Sequence, residues 1–65
     1  MRISVNGEGR EIAAATLGLL LDELGYADQP VATALNQQFV RAADRSETPL
    51  REGDAVEIVS PRQGG

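Results

Sequence analysis

Thr16-Leu17-Gly18-Leu19-Leu20-Leu21-Asp22-Glu23-Leu24-Gly25 is the stretch that decides the fold. Leu17, Leu20, Leu21 and Leu24 stand at i, i+3, i+4 and i+7, one face of an α-helix. Thr16 supplies an N-cap, its hydroxyl accepting an otherwise orphaned N–H of the first turn. Gly25 supplies a stop, because glycine takes the left-handed backbone that ends many helices. Leu19 falls off the stripe, at the position where a capping box would place Glu or Gln. The spacing therefore predicts that Leu19 is largely exposed. A lone amphipathic helix must bury its stripe against something, and the flanking sequence offers strands.

Towards the N-terminus, Met1, Ile3 and Val5 alternate with Arg2, Ser4 and Asn6, the period of a half-buried strand. Asn6-Gly7-Glu8-Gly9 reads as a turn, and Arg10–Ala13 as a returning strand with Ile12 inward. Towards the C-terminus, Asp28-Gln29-Pro30 is a loop and Val31–Asn36 a strand. Asn36-Gln37-Gln38 is a tight connection into a short strand, Phe39–Ala42. Ala43–Leu50 is polar, with room for one irregular helical turn. Glu52-Gly53-Asp54 turns into a last strand, Asp54–Ser60, which Pro61 ends because it has no N–H to donate. Strand, strand, helix, strand, strand, strand predicts an α+β fold of the β-grasp, ubiquitin-like kind. Its mixed sheet of four to five strands packs on one main helix, with the first and last strands side by side in the centre. The expected division is a β-grasp domain over residues 1–60 and a flexible Gly-Gly tail over 61–65.

Composition narrows the function classes. The chain has 65 residues, no cysteine and no histidine, so neither disulfides nor a Cys/His zinc site can stabilise it. No metal site is expected. A chain this short buries only about 60% of its unfolded surface, so packing must be efficient. Six positive residues against ten negative give a net charge of −4. All six positives are arginines, and they are dispersed, so there is no basic face for nucleic acid. Asp22, Glu23 and Asp28 lie close together. They would suit a basic groove on a partner, but a solvated helix end is the simpler reading. No apolar run approaches the ~18–20 residues of a membrane span, and no signal-peptide core precedes the first strand. The expectation is a soluble, cytoplasmic protein.

Catalytic machinery is also missing. Ser4, Ser46 and Ser60 have no histidine to activate them. Asn6–Gly9 lacks the Lys-Ser/Thr ending of a phosphate loop. What stands out is Pro61-Arg62-Gln63-Gly64-Gly65: five residues with no apolar anchor, reaching roughly 17 Å when extended. They are tipped by a carboxylate that is ionised at neutral pH. A di-glycine backbone has no Cβ and can thread a narrow channel.

Met1–Asn6, Thr16-Leu17 with Leu20, Leu21 and Leu24, Ala34-Leu35-Asn36 with Val40, Leu50, Gly53-Asp54, Val56-Glu57-Ile58 and Gly64-Gly65 together resemble the ThiS family, the sulfur carriers of thiamine biosynthesis. The resemblance runs the whole length, and its most specific parts are the tail and the Gly-Asp turn. Departures are Arg41-Ala42 after Val40, where Pro-Arg is frequent, Leu19 in place of a polar residue, and Thr33 where an aliphatic residue is common. The resemblance implies a protein co-substrate, not an enzyme, with no bound cofactor. An ATP-dependent, ThiF-like adenylyltransferase would adenylate the Gly65 carboxylate. A sulfur donor (a cysteine desulfurase or persulfide protein) would convert it to a thiocarboxylate, and a ThiG-like thiazole synthase would take the sulfur. Gly64, Gln63 and Arg62 would line the channel of the activating enzyme. Three alternatives stay open: the small subunit of molybdopterin synthase, which is typically longer, a ubiquitin-like protein modifier, and an interaction module with an inert tail.

The phase of the strands adds one expectation. Val59 is out of phase with Val56 and Ile58, and Phe39 with Val40. Both are expected on an exposed apolar patch of the helix-free face that docks the activating enzyme; Phe39 in the core is the competing reading.

Overall fold

A computed structural model describes residues 1–61 of the chain. Five strands and one α-helix follow the expected order: β1 (Arg2–Val5), β2 (Glu8–Glu11), α1 (Leu17–Glu23), β3 (Ala32–Leu35), β4 (Gln38–Val40) and β5 (Ala55–Val59). A six-residue 3₁₀ segment, Ala42–Glu47, links β4 to the chain leading into β5. The sheet order is β2-β1-β5-β3-β4. β1 and β5 run parallel in the centre, and every other pairing is antiparallel. This is the β-grasp expected from the order of elements.

The two hairpins are tighter than the sequence reading had them. Asn6 (φ 51°) and Gly7 (φ 85°) reverse the chain alone, with Val5 paired to Glu8. Positive φ at both central residues gives the turn that matches strand twist. Glu8 and Gly9 therefore belong to β2, which starts two residues before Arg10 and ends at Glu11. All four residues of β2 are exposed, so no alternation marked it. Ile12 is buried as expected, with its N–H bonded to the Met1 carbonyl at 2.8 Å. The second hairpin likewise turns on two residues, Asn36 (φ 50°) and Gln37 (φ 72°), and Gln38 opens β4.

The helix is built as its sequence predicts. Thr16 is extended, and its hydroxyl accepts the Leu19 N–H at 3.2 Å. Gly25 at φ 87° ends the last turn. Leu17, Leu20 and Leu21 are buried against Ile3, Val5, Val56 and Ile58 of the central strands. Each such side chain contributes roughly 1.5–3 kcal/mol on leaving water. Leu24 is half-buried at the rim, and Leu19 is 52% exposed.

Polar groups tie the remaining chain to this layer. Thr16 and Pro49 form an isolated bridge, flanked by bonds from Leu17 N–H to the Thr48 carbonyl and from Leu50 N–H to the Ala15 carbonyl. Gly18 allows the approach of the 3₁₀ segment: a Cβ there would lie 3.3 Å from the Ser46 backbone. Glu23 is not a free member of an acidic patch. Its carboxylate accepts the N–H groups of Ala13 (3.1 Å) and Ala14 (2.8 Å), holding the segment before the helix against the helix's last turn. Thr33 is 2% exposed, a polar residue in the core. Its hydroxyl donates to the Val40 carbonyl at 2.9 Å and accepts from Arg45 Nε at 3.0 Å. Arg45 Nη2 also donates to the Val31 carbonyl at 2.6 Å. No side-chain polar atom among the described residues is buried without a partner.

Two predictions follow the packing. Leu20→Ala should cost about 2–5 kcal/mol in a denaturant melt, whereas Leu19→Glu should be neutral or stabilising by at most about 1 kcal/mol through a capping box with Thr16. Equal losses at the two positions would contradict the helix phase. Thr33→Val should cost about 1–3 kcal/mol because it removes the acceptor of Arg45 Nε and the hydroxyl donor to the Val40 carbonyl. Adding Arg45→Met should recover part of that loss, which a double-mutant cycle in the same melt would measure.

Candidate partner-binding face and carrier tail

One helix covers one face of the sheet, so the other face is left open. Register defines what it carries. In β1 and β2, Arg2 lies across from Glu11 and Ser4 from Gly9, a polar half whose Arg2–Glu11 ion pair spans 4.0 Å. In the other half, Ala34 of β3 sits between Phe39 of β4 and Glu57 of β5, and Ala32 sits beside Val59. Phe39 is 70% exposed and Val59 61%. The competing reading of Phe39 as a core residue does not hold: Val40 carries the inward phase and Phe39 points to the open face. The small alanines between them leave the ring and the valine standing above the sheet. Val59 is two residues before Pro61, the last described residue.

The surroundings are otherwise chemically quiet. Arg41, exposed just beyond β4, donates from Nε to Asp44 Oδ2 at 3.2 Å. That hydrogen bond, and then the charge of Asp44, raise the guanidinium above its ordinary pKa. Among the described residues there is no enclosed cavity and no grouping of acidic side chains that could hold a metal ion. No helix among them is long and apolar enough to cross a membrane. The expected carrier residue Gly65, and Gly64, Gln63 and Arg62 with it, lie outside the described residues. Phe39 and Val59 are brought to one face, as their phase required. Sequence reasoning missed Thr33, Arg45 and Glu23 as structural ties; their partners are 7 to 14 residues away, and no local pattern marks such pairs.

Comparison with known proteins agrees with this geometry. The model of the ThiS family matches residues 3–65. The sulfur carrier protein ThiS of Thermus thermophilus is 39% identical over 61 residues, covering 94% of this chain and 95% of that protein. A thiazole synthase of Paramagnetospirillum magneticum is 35% identical across the whole of this chain, which corresponds to 20% of that protein's length. The crystal structure of the thiamine biosynthesis protein ThiS from Geobacter metallireducens superposes with a TM-score of 0.81 at 30% identity, over the full length of both chains. The solution structure of a thiamine biosynthesis protein from the same organism gives 0.81 at 29% identity, covering all of this chain and 88% of that one. With the β-grasp topology, the open apolar face and a family match that runs through Gly64-Gly65, this chain belongs to the ThiS family.

Proposed function

We propose that this protein is the sulfur carrier of thiazole formation in thiamine biosynthesis, with Gly65 as the carrying residue. The observation that supports this best is the family match through residue 65, on a chain that holds neither histidine nor cysteine. A carboxylate is a poor electrophile because its leaving group would be oxide. A ThiF-like adenylyltransferase joins the Gly65 carboxylate to AMP, releasing pyrophosphate from ATP and supplying a stabilised leaving group. The terminal sulfur of a persulfide, on a cysteine desulfurase or a persulfide protein, displaces AMP and forms an acyl disulfide. A thiol then breaks its S–S bond, forming a disulfide with the donor and leaving Gly65 as a thiocarboxylate. The carrier itself holds no cofactor, and ATP is used by the partner. The setting for this chemistry is the cytoplasm.

The consumer of the sulfur is a ThiG-like thiazole synthase. Support comes from the Paramagnetospirillum relative, in which a segment similar to this entire chain makes up a fifth of a protein named for that activity. Carrier and consumer in one chain are held at high effective concentration, an arrangement that suits two proteins meeting in successive turnovers. Phe39 and Val59, with Ala32 and Ala34 between them, form the docking surface for the activating enzyme. Exposed apolar residues grouped on one face mark interaction sites, and this group lies beside the exit of the tail. Gly64 gives the backbone room in the activating channel, and Gln63 and Arg62 offer hydrogen bonds along it.

Incubation with the adenylyltransferase, ATP and a sulfur donor should shift the intact mass by one sulfur-for-oxygen exchange. Deleting Gly65 should abolish the shift and leave the melt unchanged. Gly64→Val should also block it, because a β-branched side chain narrows the backbone and obstructs the channel, while Gly64→Ala should be milder. Unchanged sulfur transfer without Gly65 would leave only an interaction module. Val59→Asp should raise the KM for activation about tenfold or more, as expected for loss of an interface anchor. Its stability should shift by no more than about 1 kcal/mol, the span of strand propensity at an exposed site. Unfolding of that variant would refute the strand phase.

A further inference from the structure

Two asparagines occupy equivalent places in the fold. Asn6 and Asn36 are each the first residue of a two-residue hairpin turn, and both have positive φ. Each turns its carboxamide onto the central strand β5, at opposite ends. Asn36 Oδ1 accepts the Ala55 N–H at 2.9 Å, and its Nδ2 donates to Asp54 Oδ1 at 3.1 Å. That is where β5 begins. Asn6 Oδ1 accepts the Ile58 N–H at 2.9 Å, and its Nδ2 donates to the Ile58 carbonyl at 3.1 Å. That is where β5 ends.

The Asn6 amide replaces a missing length of strand. The parallel ladder of β1 and β5 runs from Ser4 N–H on the Asp54 carbonyl to Asn6 N–H on the Val56 carbonyl, both at 2.9 Å. There the β1 backbone turns away into the hairpin. Backbone polar groups alternate sides along a strand, so those of Ile58 face the side that β1 has left. The Asn6 carboxamide supplies one acceptor and one donor, as the next peptide group of β1 would have done. On the other side β5 stays paired with β3 as far as Val59. Among the described residues, Asn6 is thus the last tether on the β1 side; Gly65 lies seven residues beyond Ile58.

We propose that Asn6 is a positioning residue for the carrier reaction: by holding both backbone groups of Ile58, it fixes the end of β5, from which the chain runs on to Gly65. This rests on the carrier reading of Gly65. If Ile58 were released, the end of β5 would be held on the β3 side alone and its direction would vary. Alignment of the reacting carboxylate, seven residues on, would fall with it. Docking through Phe39 and Val59 would be little affected, because both stay paired to β3.

The test compares Asn6→Gly with Asn36→Gly. Glycine keeps the positive φ of each turn, so each substitution removes one carboxamide from β5 and little else. In ATP–pyrophosphate exchange with the adenylyltransferase, Asn6→Gly should lower kcat about three- to tenfold with KM within about twofold. Asn36→Gly should leave both within about twofold, because the start of β5 is remote from the tail. Amide hydrogen exchange in the free proteins should show Ile58 losing protection only in Asn6→Gly, and Ala55 only in Asn36→Gly. If Asn6→Gly does not fold, Asn6→Asp carries the test: it keeps the turn and the acceptor, loses the donor, and should give an intermediate kcat. Equal kcat in the two glycine variants, or unchanged Ile58 exchange, would overturn the role of Asn6 while the wild-type exchange activity upholds the carrier reading. No exchange with the wild-type protein would overturn both.

Discussion

A single seven-residue helix lies against a five-stranded sheet, and much else in the molecule answers to that constraint. The helix can bury one face only, so Leu17 and Leu20, both with no exposure, sit over the central strands where the apolar contribution is largest. The segments the helix cannot reach are tied down by hydrogen bonds: Glu23 to the chain before the helix, Thr16 and Leu17 to residues 48 and 49, Arg45 and Thr33 to the β3–β4 edge. A domain of this size gains little from burial alone, and these charge-assisted and backbone bonds close the layers that side-chain packing leaves open.

The same constraint produces the functional surface. Residues in the outward phase of β3, β4 and β5 have no second layer to bury them, so Phe39 and Val59 stay exposed. Their shared face follows from the register of β3 with β4 and β5, and the parallel pairing of β1 with β5 puts the end of β5 beside the Asn6-Gly7 turn. The apolar half of the open face thus includes the end of β5, the last strand before Pro61.

How much of this could be read from the sequence depends on the range of the interaction. The helix, its cap at Thr16 and its stop at Gly25 were legible because they are local and periodic. So were β1 and β5, where Ile3, Val5, Val56 and Ile58 alternate cleanly, and the same alternation placed Val59 outside, whereas the short β4 left Phe39 open between the exposed face and the core. β2 was misplaced by two residues because Glu-Gly-Arg-Glu, exposed throughout at the sheet edge, has no buried partner phase to reveal it. Thr33 with Arg45, Glu23 with Ala13 and Ala14, and Asn6 with Ile58 are tertiary pairings between polar residues whose types are ordinary at the surface. Nothing in their spacing distinguishes them from solvated side chains.

Composition also bears on why the sulfur would travel on the backbone terminus. An acyl adenylate is attacked by any amine or thiol that reaches it, and five residues span at most roughly 17 Å when extended. This chain has no cysteine, and all six of its positive side chains are arginine. A guanidinium stays protonated and is not a nucleophile, whereas a lysine amine near an activated carboxyl would form an amide with it. The positive charges that pair with Asp44 and Glu11, or that bond Thr33 and Val31, do so without offering a competing acceptor for the acyl group. In the carrier reading, the side chains that are missing matter as much as the glycines that are present: an activated Gly65 has no thiol or amine side chain of its own chain to react with, so the sulfur donor meets an electrophile that the carrier has not consumed.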